Sequence, residues 1–320
     1  MKRSLAFFLP LLFYGCMDSP KDPIRIAMNP WPGYEFLYLA QEMNFFEEEG
    51  VQVKILEYSS LGDSRVAFER GQVDGMCCTL VELLVSKSRT NRDPRLVFVT
   101  DYSNGADMIL GQHELTCMAD LKGKRVAVEV GTLNMFLLAR ALSQAGLGLE
   151  DVEIHQFDQQ GMETAFLNKE VDAVVTYPPV ATTLLNQRGA KRLFTSRDTP
   201  GEVMDVICVN KQIIDTRFSD LTGMLRAWDR SLDYAEEHPE EASRIMARRE
   251  GIQPIEFQSA LTDIQVLSCA AQDFSSEGMG EIENVLESLI RILDETHQLT
   301  SPVSIESIVD GSIVERMFAK

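Results

Sequence analysis

IRIAMNPWPGYEFLYLAQEMNFFEEEG, residues Ile24–Gly50, contains the elements that decide the fold of this chain. Apolar residues alternate over Ile24–Met28, which predicts a buried strand, and two prolines and a glycine then end it. Apolar residues next recur at helical spacing up to Phe46, so a helix follows. Open α/β sheets bind ligands in loops at the carboxyl ends of strands. Trp31 and Tyr34 lie on such a loop and are candidate ligand-binding residues, although an aromatic such as Trp31 can equally be core packing.

The pattern of strand, loop and helix begins again after Lys124. Matching landmarks in the two passes are Gly33 and Gly131, Gly50 and Gly146, and Val73-Asp74 and Val171-Asp172, at offsets of 98, 96 and 98 residues. This period is too long for a solenoid and indicates duplication of a βαβαβ unit. We therefore predict a mixed α/β fold of two Rossmann-like lobes that enclose a ligand cleft.

Size, charge and motif content exclude several classes of protein. The chain has 320 residues, a formal net charge of −19 and a sequence pI of about 4.6. Nucleic acid is excluded as a partner because phosphates require clustered lysine and arginine. The sequence has no GxxxxGK[ST] loop, no GxGxxG motif and no metal-ligand spacing around its four histidines. We therefore expect no cofactor and no metal.

The N-terminus has the features of an export signal. Lys2 and Arg3 precede an apolar segment, residues 5–14, that is too short to span a bilayer. Gly15-Cys16 is similar to a bacterial lipoprotein cleavage site, so we expect a signal peptide over residues 1–16, lipid on Cys16 and a tether over residues 17–23. This predicts a periplasmic protein that is anchored to a bacterial membrane. A simple signal peptide is the alternative.

The remaining cysteines do not form a disulfide framework. Once Cys16 is lipidated five remain, and an odd number leaves at least one unpaired within the chain. Adjacent Cys77 and Cys78 could form a strained disulfide, but two small buried side chains are the favoured interpretation.

One pattern suggests an enzyme. Ser64, within Gly-Asp-Ser, together with Asp294 and His297 resembles the catalytic blocks of SGNH-type esterases. In those enzymes the serine follows the first strand, whereas here it follows the second. The block that helps to form the oxyanion hole is also missing. The esterase therefore remains a remote alternative, and we expect a protein that is not an enzyme.

Several motifs together give a family resemblance. They are PWPGYEFLYLAQEMNFFEEEG from Pro30, GQVDG from Gly71, DLKGKRV from Asp120 and VDAV from Val171. With these motifs the chain resembles periplasmic solute-binding proteins of the nitrate/sulfonate/taurine and thiamine-pyrimidine-precursor type. The resemblance implies a type II periplasmic-binding fold and delivery of a small molecule to an ABC permease. We also expect a monomer. A ligand sensor that docks on a membrane receptor would use the same cleft and is the alternative.

The resemblance also implies a layout for the lobes. Lobe one would comprise residues 24–110 and 206–320, with helices at its C-terminal end, and lobe two would comprise residues 111–205. The two crossing strands would lie near Met108–Gln112 and Val203–Val209. Such an interrupted layout suits a hinge, because a few residues between rigid bodies absorb the motion of closure.

The loops expected to face the cleft are acidic. They contain eleven acids and one base, Arg197. Helix capping accounts for several of these acids. Asp107, Glu129 and Asp205 are different because each adjoins or lies within an apolar strand, where a buried carboxylate needs a partner. We therefore predict a ligand with an amine, amidine or aminopyrimidine group, or an amino-sulfonate. The remaining candidate binding residues are Asp107, Glu129 and Asp205 for the cation, Tyr177 for stacking, and Thr79, Ser103, Asn104 and Thr132 for hydrogen bonds.

Overall fold

A computed structural model describes residues 22–186 and 189–318. The predicted signal peptide, Cys16 and nearly all of the tether lie outside these residues. The described residues form two α/β lobes, each built on one sheet. Among them, no helix is both long enough and apolar enough to cross a membrane.

Both lobes are formed by strands and helices that we number in chain order. The strands of the first lobe are β1 (Ile24–Met28), β2 (Val53–Glu57), β3 (Gly75–Thr79), β4 (Pro94–Ser103), β10 (Met204–Asn210) and β11 (Ile264–Val266). Its helices are α1 (Glu35–Glu42), α2 (Phe45–Glu48), α3 (Leu61–Glu69), α4 (Leu80–Arg89), α8 (Lys211–Glu237), α9 (Pro239–Glu250), α10 (Pro254–Leu261), α11 (Ser276–Glu295) and α12 (Ser312–Phe318). The second lobe contains β5 (Met108–Gly111), β6 (Arg125–Val128), β7 (Glu153–Gln156), β8 (Ala173–Thr176), β9 (Lys191–Thr195), α5 (Leu133–Gln144), α6 (Gln159–Leu167) and α7 (Val180–Asn186).

The two sheets have the same topology at their centres. The first is ordered β11-β4-β10-β3-β1-β2 and the second β7-β6-β8-β5-β9. β1 lies parallel between β2 and β3, and β6 lies parallel between β7 and β8. Each sheet also contains an antiparallel strand next to this trio, β10 in the first and β5 in the second. The predicted duplication is therefore visible as two similar sheets.

A repeated ion pair marks the same position in both lobes. Arg25 donates its backbone N–H and two guanidinium N–H groups to Asp74, with Nη2 to Oδ1 at 2.9 Å. Arg125 donates in the same way to Asp172, with Nη2 to Oδ1 at 2.8 Å. Each pair links the start of the central strand, β1 or β6, to the turn before its parallel neighbour in the sheet, β3 or β8. The aspartates are those of the duplicated Val-Asp motif, so the motif has a structural role.

The chain crosses between the lobes twice, and neither crossing is a β-strand. Residues 104–107 connect β4 to β5, and residues 196–203 connect β9 to β10. The predicted boundary after residue 110 is too late, because β5 pairs with β8 and β9 in the second sheet. The boundary after residue 205 is also displaced, since β10 begins at Met204 in the first sheet. The apolar runs of β4 and β5 look alike in sequence, and only their hydrogen-bond partners assign them to different lobes.

Helix α11 joins the two lobes along one side. It packs against α4 of the first lobe and α5 of the second. A larger core fills the first lobe and includes Trp228 of α8, while two smaller cores cover the faces of the second sheet. Cys77 and Cys78 are buried free thiols in β3, and the Cys78 thiol donates to Cys208 Sγ at 3.8 Å. They pack as small core residues, as the sequence favoured.

Candidate functional site

A small cavity lies between the lobes, where helix N-termini from both of them converge. It is lined by Asn29, Trp31, Tyr34, Leu61, Thr79, Asp107, Leu133, Tyr177 and Asp205. Leu61, Leu133 and Thr79 mark the starts of α3, α5 and α4. The cavity has a volume of only about 10 Å³, so a solute can enter only when the walls move apart. Its walls belong to both lobes, so a solute held here would be covered on all sides once the lobes meet.

Three aromatic side chains form one wall of the cavity. Trp31 and Tyr177 meet edge to face, with ring centroids 5.9 Å apart, and Tyr34 lies 6.3 Å from Trp31. Trp31 is held in place because its indole Nε1 donates to both carboxylate oxygens of Asp101, at 3.2 and 3.3 Å. The loop before Tyr34 needs a glycine, since an added Cβ at Gly33 would lie 2.1 Å from Asp101 Oδ2. The wall is thus an apolar surface in a fixed orientation.

Two aspartates line the cavity from the two crossings. Asp107 ends the first crossing, and Asp205 lies in β10 directly after the second. The Tyr34 hydroxyl donates to Asp205 Oδ1. The other oxygen, Oδ2, has no partner in either aspartate among the described residues. Since both side chains are almost fully buried, each Oδ2 is an acceptor without a donor where water is largely excluded, and the Asp205 carboxyl also lies within hydrogen-bonding reach of Asp101.

Burial changes the acidity of this cluster. It raises the pKa of Asp107 to about 7, and the Ser103 hydroxyl offsets part of the effect. Burial likewise raises the pKa of Asp101 to about 7, although hydrogen bonds from Thr100 and Trp31 lower it and offset part of the rise. The pKa of Asp205 lies well above its usual value because of burial and the charges of Asp101 and Asp107. Three carboxyl groups close together in a dry site cannot all ionise without a nearby cation.

A second group of polar contacts joins the lobes beside the cavity. Glu82 of the first lobe accepts from the backbone N–H of Leu133 in the second, with Oε1 to N at 2.7 Å. Glu129 of the second lobe accepts from the Ser60 hydroxyl of the first, at 2.5 Å, and lies against the backbone of Gly62. Burial raises the pKa of Glu129 to about 7. Ser60, Gly62, Glu82, Glu129 and Leu133 together form what we call the interlobe clasp.

Comparison with known proteins identifies the family of the chain. The family model described as NMT1/THI5 like matches residues 31–242. This chain belongs to the NMT1/THI5-like family. The match includes both crossings and every residue that lines the cavity except Asn29.

Three relatives show how far the NMT1/THI5-like chain has diverged. A protein of Brucella abortus (strain 2308) named as a binding protein is 28% identical over 146 residues, which are 45% of this chain and 46% of that protein. The chain thus spans about half the length of the Brucella relatives. A protein of Haemophilus influenzae named for thiamine biosynthesis is 24% identical and covers 69% of this chain and 72% of its own length. A protein of Bacillus subtilis (strain 168) named as binding aliphatic sulfonates is 22% identical over 99% of this chain and 97% of its own length.

Solved structures show that the NMT1/THI5-like chain has the fold of periplasmic binding proteins. The alkanesulfonate-binding protein of Xanthomonas axonopodis pv. citri, bound to MOPS, has a TM-score of 0.78 and 18% identity, over 90% of this chain and 98% of that one. An enzyme shares the architecture too, because a desulfurization enzyme matches with a TM-score of 0.64 and 16% identity, over 92% of this chain and 98% of its own. At these identities the likeness establishes the fold alone.

The structure brings six of the ten predicted binding residues to the cavity. They are Trp31, Tyr34, Thr79, Asp107, Tyr177 and Asp205.

The other four predicted residues lie outside the lining of the cavity. Asn104 is exposed on the first crossing, and Ser103 hydrogen-bonds Ser196 and the backbone of Asp107. Thr132 caps α5, and Glu129 reaches the first lobe as part of the clasp. Ser103, Thr132 and Glu129 Oε1 fix the loops around the cavity through these hydrogen bonds, and Asn104 contributes only its backbone, which bonds to Asp263 and Arg197.

Sequence reasoning missed several residues of the site. Asn29, Leu61 and Leu133 line the cavity, and Asp101 holds Trp31. Asn29 and Asp101 each stand at or near the carboxyl end of a strand, where the sheet topology directs ligand sites. That signal was available. Leu61 and Leu133 gave none, since an apolar residue at the first position of a helix ordinarily belongs to the core.

The esterase triad is not assembled. Ser64 is fully buried in α3, and its hydroxyl has no hydrogen-bond partner among the described residues, while Asp294 and His297 are exposed near the end of α11. The hydrogen bond from serine to histidine on which such a site depends is therefore missing. Within residues 22–186 and 189–318, no cluster of three histidine, cysteine or acidic side chains is suited to a metal ion.

Proposed function

We propose that this chain is the solute-binding component of an ABC importer and captures a small cationic solute rich in N–H groups. An amine, an amidine or a protonated aminopyrimidine would fit this description. The family, the fold and a cavity enclosed by both lobes support a binding role. The predicted lipid on Cys16 would hold the protein at the outer face of a bacterial membrane, next to its permease.

The observation that carries the proposal is the balance of hydrogen-bonding groups around the cavity. Asn29 Oδ1, Asp107 Oδ2 and Asp205 Oδ2 are buried acceptors without a partner among the described residues. None of the described residues that line the cavity is basic. A buried acceptor without a donor costs roughly 1–3 kcal/mol, and more for a charged group. A ligand with several N–H groups and a positive charge would satisfy all three.

Three of the donors near the cavity are already engaged, whereas the Tyr177 hydroxyl accepts from Asn29 Nδ2 and donates to none of the described residues. Tyr34 donates to Asp205, Trp31 to Asp101, and the Thr79 hydroxyl donates to Glu82 at 2.6 Å. A sulfonate or nitrate requires donors, and helix N-termini are where such anions usually bind. Here the N-termini of α3 and α5 are occupied by the carboxylates of Glu129 and Glu82. An oxyanion would therefore meet acceptors and negative charge, so the expected ligand differs from those in the names of several relatives.

The position of the two aspartates suggests how binding is coupled to closure. Asp107 and Asp205 adjoin the two segments that connect the lobes. A cation held between them would neutralise charge at both crossings when the lobes come together. The aromatic wall of Trp31 and Tyr177 would cover the ring or chain of the solute and attract its positive charge.

Isothermal titration of the purified protein tests the proposal. At pH 8 we expect binding of benzamidine, which is cationic there, and none of methanesulfonate or nitrate; 4-aminopyrimidine, which is neutral at pH 8, should bind more weakly because it offers N–H groups without the charge. Taurine examines the amino-sulfonate alternative. Asp205→Asn should weaken cation binding by about 2–5 kcal/mol, because a buried charged partner is lost. Glu202→Gln is the control, since Glu202 pairs with Arg140 outside the cavity lining. Tight binding of methanesulfonate that persists in Asp205→Asn would refute the proposal.

A further inference from the structure

The interlobe clasp connects one loop of the second lobe, through hydrogen bonds, to the N-termini of two helices of the first. The loop between β6 and α5 carries Glu129 at one end and Leu133 at the other. Glu129 reaches the N-terminus of α3, where it accepts from Ser60. The amide of Leu133 donates to Glu82 in the first turn of α4. Each lobe thus contributes one carboxylate that satisfies a helix N-terminus of the opposite lobe, where negative charge is favoured.

Each bond of the clasp is adjacent to a residue of the cavity wall. Leu61 lies between Ser60 and Gly62, and Leu133 is itself part of the lining. Thr79, also in the lining, donates its backbone N–H to Glu82 Oε2 at 2.8 Å. Separation of the lobes must therefore break the Glu82–Leu133 and Glu129–Ser60 bonds and open this wall.

Both oxygens of Glu82 and one oxygen of Glu129 bond to protein groups, whereas Glu129 Oε2 has no partner among the described residues. Glu82 uses Oε2 for Thr79 and Oε1 for Leu133. Glu129 uses Oε1 for Ser60, and a Cβ added at Gly62 would lie only 2.3 Å from that oxygen. Gly62 therefore permits a close approach that a larger residue would block. Neither glutamate lines the cavity, in contrast to Asp107 and Asp205.

We propose that Glu82 and Glu129 are positioning residues that hold the lobes closed, and that they set how long a solute is retained without selecting which solute is bound. This inference rests on the proposed solute-binding function and assigns recognition of the solute and closure of the lobes to different residues. Asp107 and Asp205 recognise the cation, and the clasp keeps the closed conformation. Loss of a clasp bond should therefore raise the dissociation rate of every ligand by a similar factor and leave the preference among ligands unchanged.

A pair of substitutions at Leu133 isolates one arm of the clasp. Leu133→Pro removes the N–H that Glu82 accepts, and proline is tolerated at the first position of a helix. Leu133→Ala truncates the side chain but keeps the N–H, so it is the matched control. Hydrogen exchange of the ligand-free protein, read in residues 60–64 of the opposite lobe, should be faster in Leu133→Pro than in Leu133→Ala, by about tenfold for a bond to a charged acceptor. Equal exchange in the two variants would overturn the inference.

Substitutions at Glu129 test the other arm. Glu129→Ala should accelerate exchange over residues 60–64, whereas Glu129→Gln should retain much of the protection because its amide oxygen still accepts from Ser60. In stopped-flow measurements with 4-aminopyrimidine and benzamidine, Glu129→Ala should raise both dissociation rates by the same factor. A change in the ratio of the two affinities would show instead that Glu129 contacts the solute. If neither probe binds the unaltered protein, the proposed function fails and hydrogen exchange alone decides on the clasp.

Discussion

Asp107→Asn should stabilise the ligand-free protein and weaken its binding of a cationic solute, two effects of opposite sign. Asp107 is only 2% exposed, and Oδ2 has no partner among the described residues. An asparagine of the same shape carries no charge to desolvate, so the folded protein gains stability. The same substitution removes the negative charge that a cationic solute needs. Opposite effects on stability and function are typical of binding sites.

The size of the stability effect follows from the acidity of the group. The pKa of Asp107 is raised to about 7 in the folded protein, against an ordinary aspartate value of about 3.9 in the unfolded chain. Each unit is worth about 1.4 kcal/mol, so ionised Asp107 costs at most about 4 kcal/mol, part of which is shared with Asp101 and Asp205. The unfolded chain releases its proton first as pH rises. The cost is therefore absent below about pH 4, grows through pH 4–7 and is complete at pH 8.

Thermal unfolding at pH 4 and pH 8, without ligand, measures this effect. The unfolding midpoint of Asp107→Asn should exceed that of the unaltered protein at pH 8, and the difference should shrink towards pH 4. Glu287→Gln, an exposed change on α11, is the control and should alter neither. Titration with benzamidine should show a loss of affinity of about 2–5 kcal/mol in Asp107→Asn. An equal difference at both pH values, or unchanged affinity, would refute the reasoning.

Three further expectations can be tested separately. Ligand-induced change in tryptophan fluorescence should vanish in Trp31→Phe and persist in Trp228→Phe. The reason is that Trp31 lines the cavity, whereas Trp228 is buried in α8 and its Nε1 donates to the Leu267 carbonyl. The reverse pattern would contradict the assignment. Affinity for benzamidine, which stays protonated, should fall as pH is lowered from 8 to 5, since carboxyl groups with a pKa of about 7 take up protons that compete with the cation. Calorimetry in two buffers should detect the protons that are released on binding. An affinity that does not change with pH would count against the site. Cys16→Ser should move the protein from the membrane to the soluble periplasmic fraction, and unchanged fractionation would exclude the lipid anchor.

The amino-acid sequence by itself determined the repeating parts of this protein. Strand alternation, helical spacing and the glycines between them depend on residues a few positions apart, so the duplicated α/β unit could be predicted from Ile24–Gly50 and its counterpart. The aromatic loop with Trp31 and the acidic crossings with Asp107 and Asp205 could be predicted too, because the carboxyl ends of strands collect ligand-binding residues.

The tertiary structure alone decided which polar groups are free and which are engaged. Glu82 and Leu133 are 51 positions apart, and Tyr34 and Asp205 are 171 positions apart. No local pattern links such pairs, since Glu82 meets Leu133 only when the two lobes close and Tyr34 meets Asp205 only when the first lobe folds. For that reason Glu129 could be recognised from sequence as a buried acid, but not as a contact to Ser60 of the other lobe. The lobe boundary before β5 was decided in the same way, because hydrogen bonds between strands are a property of the folded sheet.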